Sequence, residues 1–569
     1  MATIYIDEDV GKDEPTQAGT EAAPFKTLQF AYLQRPAEAQ YLMKSSPAEL
    51  EAENGEPWKA ATKSALKKVV NYYEQQKKKA AREQELAAKR KQEEEERNAV
   101  LLKAKDIVLE EDANLPAPIK IRLDETGDKI KLRDMDDPES KGSRVHVVGR
   151  VHRERKQKDV LFITLRDGYG YMQVVVSGKL AKTYQALTLT RETSMEVYGE
   201  MRRVPAGARA PLDRELHVDF YKIPDHWRAA GGDDAITNRV TANTEHATLL
   251  NLRHLTLRGE VASSVMLVRD AVEFAFSQAY RELRIRKVSP PALVQTQVEG
   301  GATLFQLGYY GAEAFLTQSS QLYLETCLPS MGDVYCIEKS FRAEKSLTRR
   351  HLSEFTHVEA ELDFIEFDDL LTHIEHMMCR VLELVMADPT IAGYIKSLNP
   401  DFKQPERPFM RMKYADAIEW LREHDIPNDE GQPHAFGDDI AEAAERRMTD
   451  IINKPIFLTH FPAEIKAFYM QKDKEDPRVT ESVDCLMPGV GEIVGGSMRI
   501  DNLEELMAAF KREGLNPDAY YWYTDQRKYG SSSHGGYGLG LERFLAWLCN
   551  QHTVRDCCLY PRFTGRCAP

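Results

Sequence analysis

The stretch Tyr335–Asp363 concentrates residue types that do chemistry. Two strand-like runs flank a basic, polar loop at Lys345–Arg350, so the expected local structure is strand–loop–strand. In the second run, period-two alternation puts Phe355, His357, Glu359 and Glu361 on one face, with Thr356, Val358, Ala360 and Leu362 on the other. One strand face thus carries an aromatic ring and two carboxylates beside Lys345, Arg349, Arg350 and His351. Carboxylates in a protein interior are costly unless paired or metal-bound, which makes this face a site candidate. A solvated sheet face with salt bridges is the plain alternative.

A second polar run is Glu481–Arg499, in which Asp484 and Glu492 bracket a Pro-Gly turn. A hairpin there brings both carboxylates to one point, and two hard oxygens with room for phosphate oxygens is how Mg²⁺ is usually held. Gly495 and Gly496 let a ligand approach the backbone, and Arg499 follows at strand spacing, able to pair with an anion or a carbonyl. An ordinary glycine-rich hairpin with surface acids fits the same letters. The third run, Gly535–Trp547, lacks both the GxGxxG and the GxxxxGK[ST] phosphate patterns. Its glycines end near Gly540, where a helix is expected to start with Arg543 in its first turn. A helix N-terminus favours anions, so a cation there suits a polyphosphate ligand better than it suits the helix.

The elements that must position these residues follow from the rest of the chain. A length of 569 residues exceeds one hydrophobic core and suggests three to four domains. The composition, 42% hydrophobic and 29% charged, rules out wholesale disorder and fibrous classes. No run of eighteen apolar residues occurs, so no membrane span is expected. The acidic start, MATIYIDEDVGKDEP, does not resemble a secretory signal. The eight cysteines begin at Cys327 and form no CxxC pair, which fits a reduced cytosolic setting.

The net charge of −14 is unevenly spread. Residues 59–105 hold 11 Lys and 3 Arg against 7 Glu, a local +7, so the remainder sums to −21. This segment has no Pro or Gly and is expected to be a long helix, either a solvated spacer or a contact for a polyanion. The expected organisation is a small appended fold over 1–56, with elements near Thr3–Ile6 and Pro24–Leu33. A Lys/Glu-rich helix follows over 57–112, then a linker over 113–141 and a barrel domain over 142–228. A hinge over 229–250 leads to an α+β domain over 251–569. Five short strands, at Val145–Val151, Leu161–Arg166, Tyr171–Val176, Ser194–Met201 and Glu215–Ile223, suit a small closed barrel of the OB type. In the last domain, apolar spacing at Val265, Val268, Val272, Phe274, Ala275, Ala279 and Leu283 predicts a helix over Val265–Arg284, ended by Pro290-Pro291. Further helices are expected at Phe367–Ala387, Arg411–His424 and Gly540–Asn550.

Taken together, the long helix with its following strand and the first and third chemical runs resemble the three motifs of class II aminoacyl-tRNA synthetases. The long helix and the strand ending at Pro291 resemble motif 1, Phe341-Arg342-Ala343-Glu344 with its loop and Phe355 resembles motif 2, and Gly538–Arg543 matches the GxGxxR pattern of motif 3. The HIGH and KMSKS motifs of the other synthetase class are absent. A barrel ahead of such a core points to the subgroup that activates Asp, Asn or Lys. Runs such as FLTQSSQLYLETCLP, TESVDCLMP, GEIVGGSMRI and LYPRF are most similar to the eukaryotic cytosolic asparaginyl-tRNA synthetases. The resemblance covers Arg144–Pro569 and extends more weakly through the first 110 residues.

That resemblance implies an α+β chain: a class II antiparallel-sheet catalytic domain, an N-terminal OB-fold barrel and an appended small domain with a charged helix. It implies a cytoplasmic enzyme that activates L-asparagine with ATP and Mg²⁺, charges tRNA(Asn), and works as a homodimer whose interface includes Pro291. By the same resemblance Glu299, Gln318 and Gln321 surround the amino acid's α-amino group. Arg342 clamps the α-phosphate and the substrate carboxylate, Glu344 meets the adenine amino group, and Phe355 stacks on the ring. Arg350, His351 and Arg543 neutralise the outer phosphates beside Gly540, and Asp484 and Glu492 hold Mg²⁺. Where aspartyl enzymes of the subgroup also use a Ser near the metal, this chain has Gly495. In the barrel, Phe162 and Gln173 match positions that stack on and read an anticodon base.

Asparagine is favoured over aspartate on two residues. Aspartyl enzymes carry a Lys three residues beyond the second Gln of QSxQ, where this chain has Leu324. They carry an Asp where this chain has Glu359. A carboxylate accepts an N–H from the Asn amide and repels an Asp carboxylate, while Arg499 donates to the amide oxygen. The alternatives are an aspartyl-tRNA synthetase, a non-catalytic synthetase-like paralogue that binds RNA or signals, and a synthetase-like asparagine-making enzyme, which typically lacks the barrel.

Overall fold

Alternating aliphatic residues between Arg144 and Lys222 close into a five-stranded barrel. The computed structural model describes residues 2–35, 39–45, 56–134, 137, 139–298, 304–345 and 347–569. These divide into two units, residues 1–237 and 238–569.

In the first unit the barrel strands are β1 (Arg144–Gln157), β2 (Val160–Arg166), β3 (Tyr171–Ser177), β4 (Ser194–Arg203) and β5 (Arg214–Lys222). Antiparallel pairs β1–β2, β2–β3, β5–β4 and β4–β1, with the parallel pair β3–β5, close the sheet on itself. Val145, Val147, Ile163, Leu165, Met172, Val174, Val197 and Leu216 fill its interior. The first strand is longer than the sequence suggests. It runs on past Val151 to Gln157 through a register shift, because the charged run His152–Gln157 pairs with β2 with little of its surface buried and so shows no apolar alternation. In the segment 113–141, Ile119–Lys120 pairs with β1 and Leu123 is fully buried in the barrel core.

Ahead of the barrel, strands Ala2–Ile6, Ala39–Lys44 and Trp58–Ala60 form a small sheet against helix Leu28–Gln34, which is capped by the Thr27 side chain. Trp58–Ala60, expected to open the charged helix, is therefore a strand. Helix α1 (Lys63–Ala104) follows, capped by Thr62, and seats Val69 in the small domain's core. Every described side chain from Glu74 to Val100 is exposed.

The second unit is built on a sheet in the order β6-β7-β8-β13-β12-β11-β10-β9. Its strands are β6 (Arg286–Lys287), β7 (Val334–Phe341), β8 (Glu354–Asp363), β9 (Met410–Lys413), β10 (Ile456–Thr459), β11 (Ser482–Met487), β12 (Gly491–Met498) and β13 (His534–Gly540). All neighbours are antiparallel except the two edge pairs, β6–β7 and β9–β10. Helices α2 (Glu260–Glu282), α3 (Gln321–Met331), α4 (Phe367–Met386), α5 (Glu442–Ile452) and α6 (Leu541–Leu548) accompany it. Val268, Val272 and Phe276 of α2 pack in one core with Ile374, Met378 and Val381 of α4 and with Val358, Ala360, Val494 and Leu539 of the sheet.

Two helix expectations need correction. Arg411–His424 splits into β9 and helix Tyr414–Glu423, because Met410–Lys413 pairs in parallel with β10. On α2, Phe276 and Tyr280 are buried, whereas Phe274 is 70% exposed and Leu283 also faces solvent.

Candidate active site

The site lies where β8 and β13 run side by side. Glu361 is opposite Gly536, Glu359 opposite Gly538 and His357 opposite Gly540. Phe355, His357, Glu359 and Glu361 all line one cavity of about 250 Å³, while Val358, Ala360 and Leu362 point into the core. The glycines of β13 are a spatial requirement of that face. A Cβ on Gly536 would lie 2.2 Å from Glu361 Oε1, and one on Gly538 would lie 2.2 Å from His357 Nε2. A Cβ contact that short is not tolerated, so the glycines make room for the neighbouring strand's working side chains.

Two charge clusters line the cavity. In the first, Glu359 is buried and accepts from the Ser319 hydroxyl and from the Ser320 backbone N–H, with His357 Nδ1 at 3.3 Å. Arg499, also buried, pairs with Glu361 and donates to the Ser497 hydroxyl. Below it, Glu325 accepts from Arg527 at 2.7 Å and lies 3.1 Å from His534 Nε2, and Gln321 Nε2 donates to the same carboxylate at 3.1 Å. Burial opposes ionisation of Glu325, but Arg527, His534 and Arg499 outweigh it and hold its carboxyl well below the usual range. The same contact raises the pKa of His534 against the opposing effect of burial.

In the second cluster, β11 and β12 form the expected hairpin. Asp484 accepts from Lys466 Nζ at 2.9 Å, and Glu492 accepts from Arg543 Nη1 at 2.9 Å and Arg350 Nη2 at 3.3 Å. Burial pushes the Glu492 carboxyl up, yet Arg543 and Arg350 hold it at about 2. For Asp484 burial outweighs Lys466 and the shift is upward. His351, hydrogen-bonded to the Thr348 hydroxyl, has a lowered pKa from burial and from the facing Arg543. The remaining side of the cavity holds Glu344 and Arg342, whose guanidinium lies 5.4 Å from the centre of the Phe355 ring.

A position over Gly495 tests whether this end suits a metal. A Cβ built there lies 3.4 Å from Glu492 Oε1 and 3.5 Å from Asp484 Oδ1, so both carboxylates converge above a residue with no side chain. Among the described residues no three His, Cys, Asp or Glu side chains group as metal ligands. A cation there would have two protein carboxylates and would fill its shell from ligand and water, the usual habit of Mg²⁺.

The cavity thus brings together Gln321, Arg342, Glu344, Arg350, His351, Phe355, Glu359, Asp484, Glu492, Arg499, Gly540 and Arg543. Gln318 is buried but accepts the Val298 N–H and does not line the cavity. Glu299 lies outside the described residues. Pro291 is exposed on the second unit. In the first unit, Phe162 and Gln173 share the outer face of β2–β3, since Phe162 pairs with Val175 and Thr164 with Gln173. There Arg155 lies 5.2 Å from the Phe162 ring, and the Gln173 amide donates to Glu215. Sequence reasoning missed Lys466, Ser319 and the Glu325–Arg527–His534 support. Lys466 sits in an apolar run with no motif, and the supporting charges pair only through distant parts of the chain.

An antiparallel sheet carrying these two charge clusters, with a separate five-stranded barrel ahead of it, is the layout of a class II tRNA synthetase. A family model described as tRNA synthetases class II (D, K and N) matches residues 245–564. Models for an OB-fold nucleic acid binding domain and an asparaginyl-tRNA synthetase N-terminal domain match residues 145–224 and 20–116. The cytoplasmic asparagine–tRNA ligase of Saccharomyces cerevisiae is 52% identical, with all of both chains covered. The human cytoplasmic asparagine–tRNA ligase is 46% identical over the full length of each. The solved asparaginyl-tRNA synthetase of Entamoeba histolytica, in complex with asparaginyl-adenylate, is 43% identical, with a TM-score of 0.72, covering 80% of this chain and all of that one. The chain belongs to the asparagine–tRNA ligase family.

Proposed function

We propose that this chain is a cytoplasmic ligase that activates L-asparagine with ATP to asparaginyl-adenylate and transfers it to tRNA(Asn). The observation that carries the choice of amino acid is the first charge cluster. Glu359 and Arg499 line one cavity, offering an acceptor and a donor for a side-chain amide. The position where an aspartyl enzyme carries Lys is Leu324, fully buried in an apolar cluster with Leu328, Val334 and Cys336. Aspartate bound here would set a carboxylate against Glu359 with no added cation to offset the repulsion.

The reaction needs no covalent enzyme intermediate. The Asn carboxylate attacks the α-phosphorus of ATP, the bond to the bridging oxygen breaks, and pyrophosphate leaves. The terminal ribose hydroxyl of the tRNA then attacks the adenylate carbonyl and displaces AMP. The protein's work is positioning and charge stabilisation. Arg342 holds the α-phosphate and the substrate carboxylate, and Phe355 and Glu344 hold the adenine. Gln321, which lines the cavity, borders the α-amino group, a role that likeness to the family also gives to Gln318 and Glu299. Arg350, Arg543 and His351 meet the outer phosphates near Gly540. Asp484 and Glu492 would hold Mg²⁺, which when bound supplies positive charge to the phosphate oxygens.

Residues outside the cavity complete the reading. Phe162 and Gln173 on the barrel contact the anticodon, and 142–228, 251–569 and 1–112 serve as anticodon, catalytic and appended domains. A homodimer is supported by apolar residues left exposed on one face of α2, Leu267 and Phe274, and by Leu283 and Leu293 on the segment that leads from the helix to either side of Pro291. No described helix is long and apolar enough to cross a membrane.

The test is ATP–pyrophosphate exchange measured with Asn, with Asp and with neither, followed by tRNA charging. Exchange that needs Asn, followed by charging, supports the reading. Exchange with Asp alone would favour an aspartyl enzyme, and no exchange with either would favour a non-catalytic role. Sedimentation checks the dimer, which a stable, active monomer contradicts.

A further inference from the structure

A second, larger cavity of about 1380 Å³ borders the first, and both are lined by Arg350 and Val554. Its walls come from segment 399–410, helix α5, the β11–β12 turn and the residues after α6. Their charge is lopsided. Arg349, Lys403, Arg407, Arg446 and Lys454 join Arg350 on the cationic side, and Asp401, Glu406 and Glu442 oppose them. In a chain of net charge −14, two cations for each anion along one groove is a local exception. Lys403 and Lys454 are exposed and make no ion pair with a described residue, and the ion pair of Arg446 with Asp450 is solvent-screened at 3.6 Å.

The junction between the cavities is built around one guanidinium. Arg350 is buried, with Nη2 turned to Glu492 on the active-site side and Nη1 to Glu445 at 3.4 Å. Its Nε is buried with no hydrogen-bond partner, and the nearest carboxylate there, Glu442 on the groove side, is 3.9 Å away. A buried donor with nothing to donate to is costly unless an acceptor arrives. The acceptor that fits this position is an anionic oxygen passing between the cavities.

We propose that the groove is the route by which pyrophosphate leaves the site, drawn past Arg350 and along Arg446 and Lys454. This rests on the activation reaction proposed above, which forms pyrophosphate at the Arg350 end of the first cavity. Walls with an excess of one sign concentrate a small counter-ion and speed its passage. A strand of RNA is the other polyphosphate to consider. Against it, the large aromatics of the groove, Phe402 and Trp547, pack edge-on against each other at 5.2 Å and are half-buried, which leaves no open stacking platform.

The test is Asn-dependent exchange with pyrophosphate as the varied substrate, in the full-length wild type and in the surface variants Arg446→Ala/Lys454→Ala and Arg446→Glu/Lys454→Glu. The KM for pyrophosphate should rise about five-fold in the alanine pair and further in the glutamate pair. The KM values for ATP and Asn should stay within about two-fold of wild type, and high salt should shrink the difference. Pyrophosphate KM values equal to wild type in both pairs would overturn the route. So would a rise confined to the KM for tRNA in charging, which would assign the groove to the nucleic acid. If the wild type itself shows no exchange, the activation reading fails and the exit route falls with it. Wild-type exchange with unmoved variants removes the route alone.

Discussion

The long helix α1 and the walls of the first cavity both carry dense charge, and the two use it in opposite ways. Along α1 the described side chains from Glu74 to Val100 are exposed, and the pair Lys89–Glu93 is 4.0 Å apart with both ends more than 60% exposed. Such pairs contribute little and yield to salt. In the cavity Arg499–Glu361 is buried, with Arg527–Glu325 buried below it, and Arg350, Arg543 and Lys466 are held against Glu492 and Asp484. Breaking a buried pair leaves an uncompensated charge and costs about 3–5 kcal/mol. Charge is thus fixed in place for chemistry in one region and left free for diffuse attraction in the other.

The sharpest way to break this comparison is at the paired end. Arg342→Ala and Arg543→Ala should each lower Asn-dependent exchange by about 10³-fold, with circular dichroism close to wild type. Near-wild-type exchange in both would mean that the cavity charges are structural. Next, Glu359→Gln should narrow the preference for Asn over Asp by about 10²-fold in kcat/KM, because the group that repels aspartate is gone. Unchanged discrimination would place specificity elsewhere.

At the diffuse end, removing residues 1–110, or changing Lys77, Lys78 and Lys79 together to Ala, should raise the KM for tRNA up to about ten-fold and flatten its dependence on salt. Asn activation should hardly move. If charging is indifferent to both changes, α1 is a spacer. The smallest effect concerns His534. Its pKa is raised by Glu325, so its contribution to stability is complete below the unfolded value of about 6.5 and is lost as pH rises through the higher folded value. The thermal midpoint of wild type, measured against His534→Gln, should therefore lose its advantage as pH rises above about 6.5. A gap that stays constant from acid to alkaline pH would show that His534 carries no proton linked to folding.

How much of this was legible beforehand depends on the range of the interactions. The β8 alternation of Phe355, His357, Glu359 and Glu361 against Val358, Ala360 and Leu362 is a local pattern, and it reads directly into the cavity and the core. The Asp484–Glu492 hairpin is also local, and both carboxylates do converge, over Gly495. For the glycines of β13 the sequence offers only the absence of a phosphate-loop pattern, whereas Gly536 and Gly538 clear space for Glu361 and His357 of the adjacent strand. That requirement exists only once β8 and β13 are in register. Lys466 and Arg527 carry no local signature at all, since their partners lie 18 and 202 residues away. The charged end of β1 failed as a strand signal for the opposite reason, because a hairpin in solvent has no face to mark with apolar residues.

The central claim is that the paired cavity selects asparagine, and the most direct measurement is the rate of ATP–pyrophosphate exchange by the full-length protein with Asn and with Asp at equal concentration. The account predicts exchange with Asn at least about 10²-fold faster than with Asp. Equal rates, or faster exchange with Asp, would contradict it.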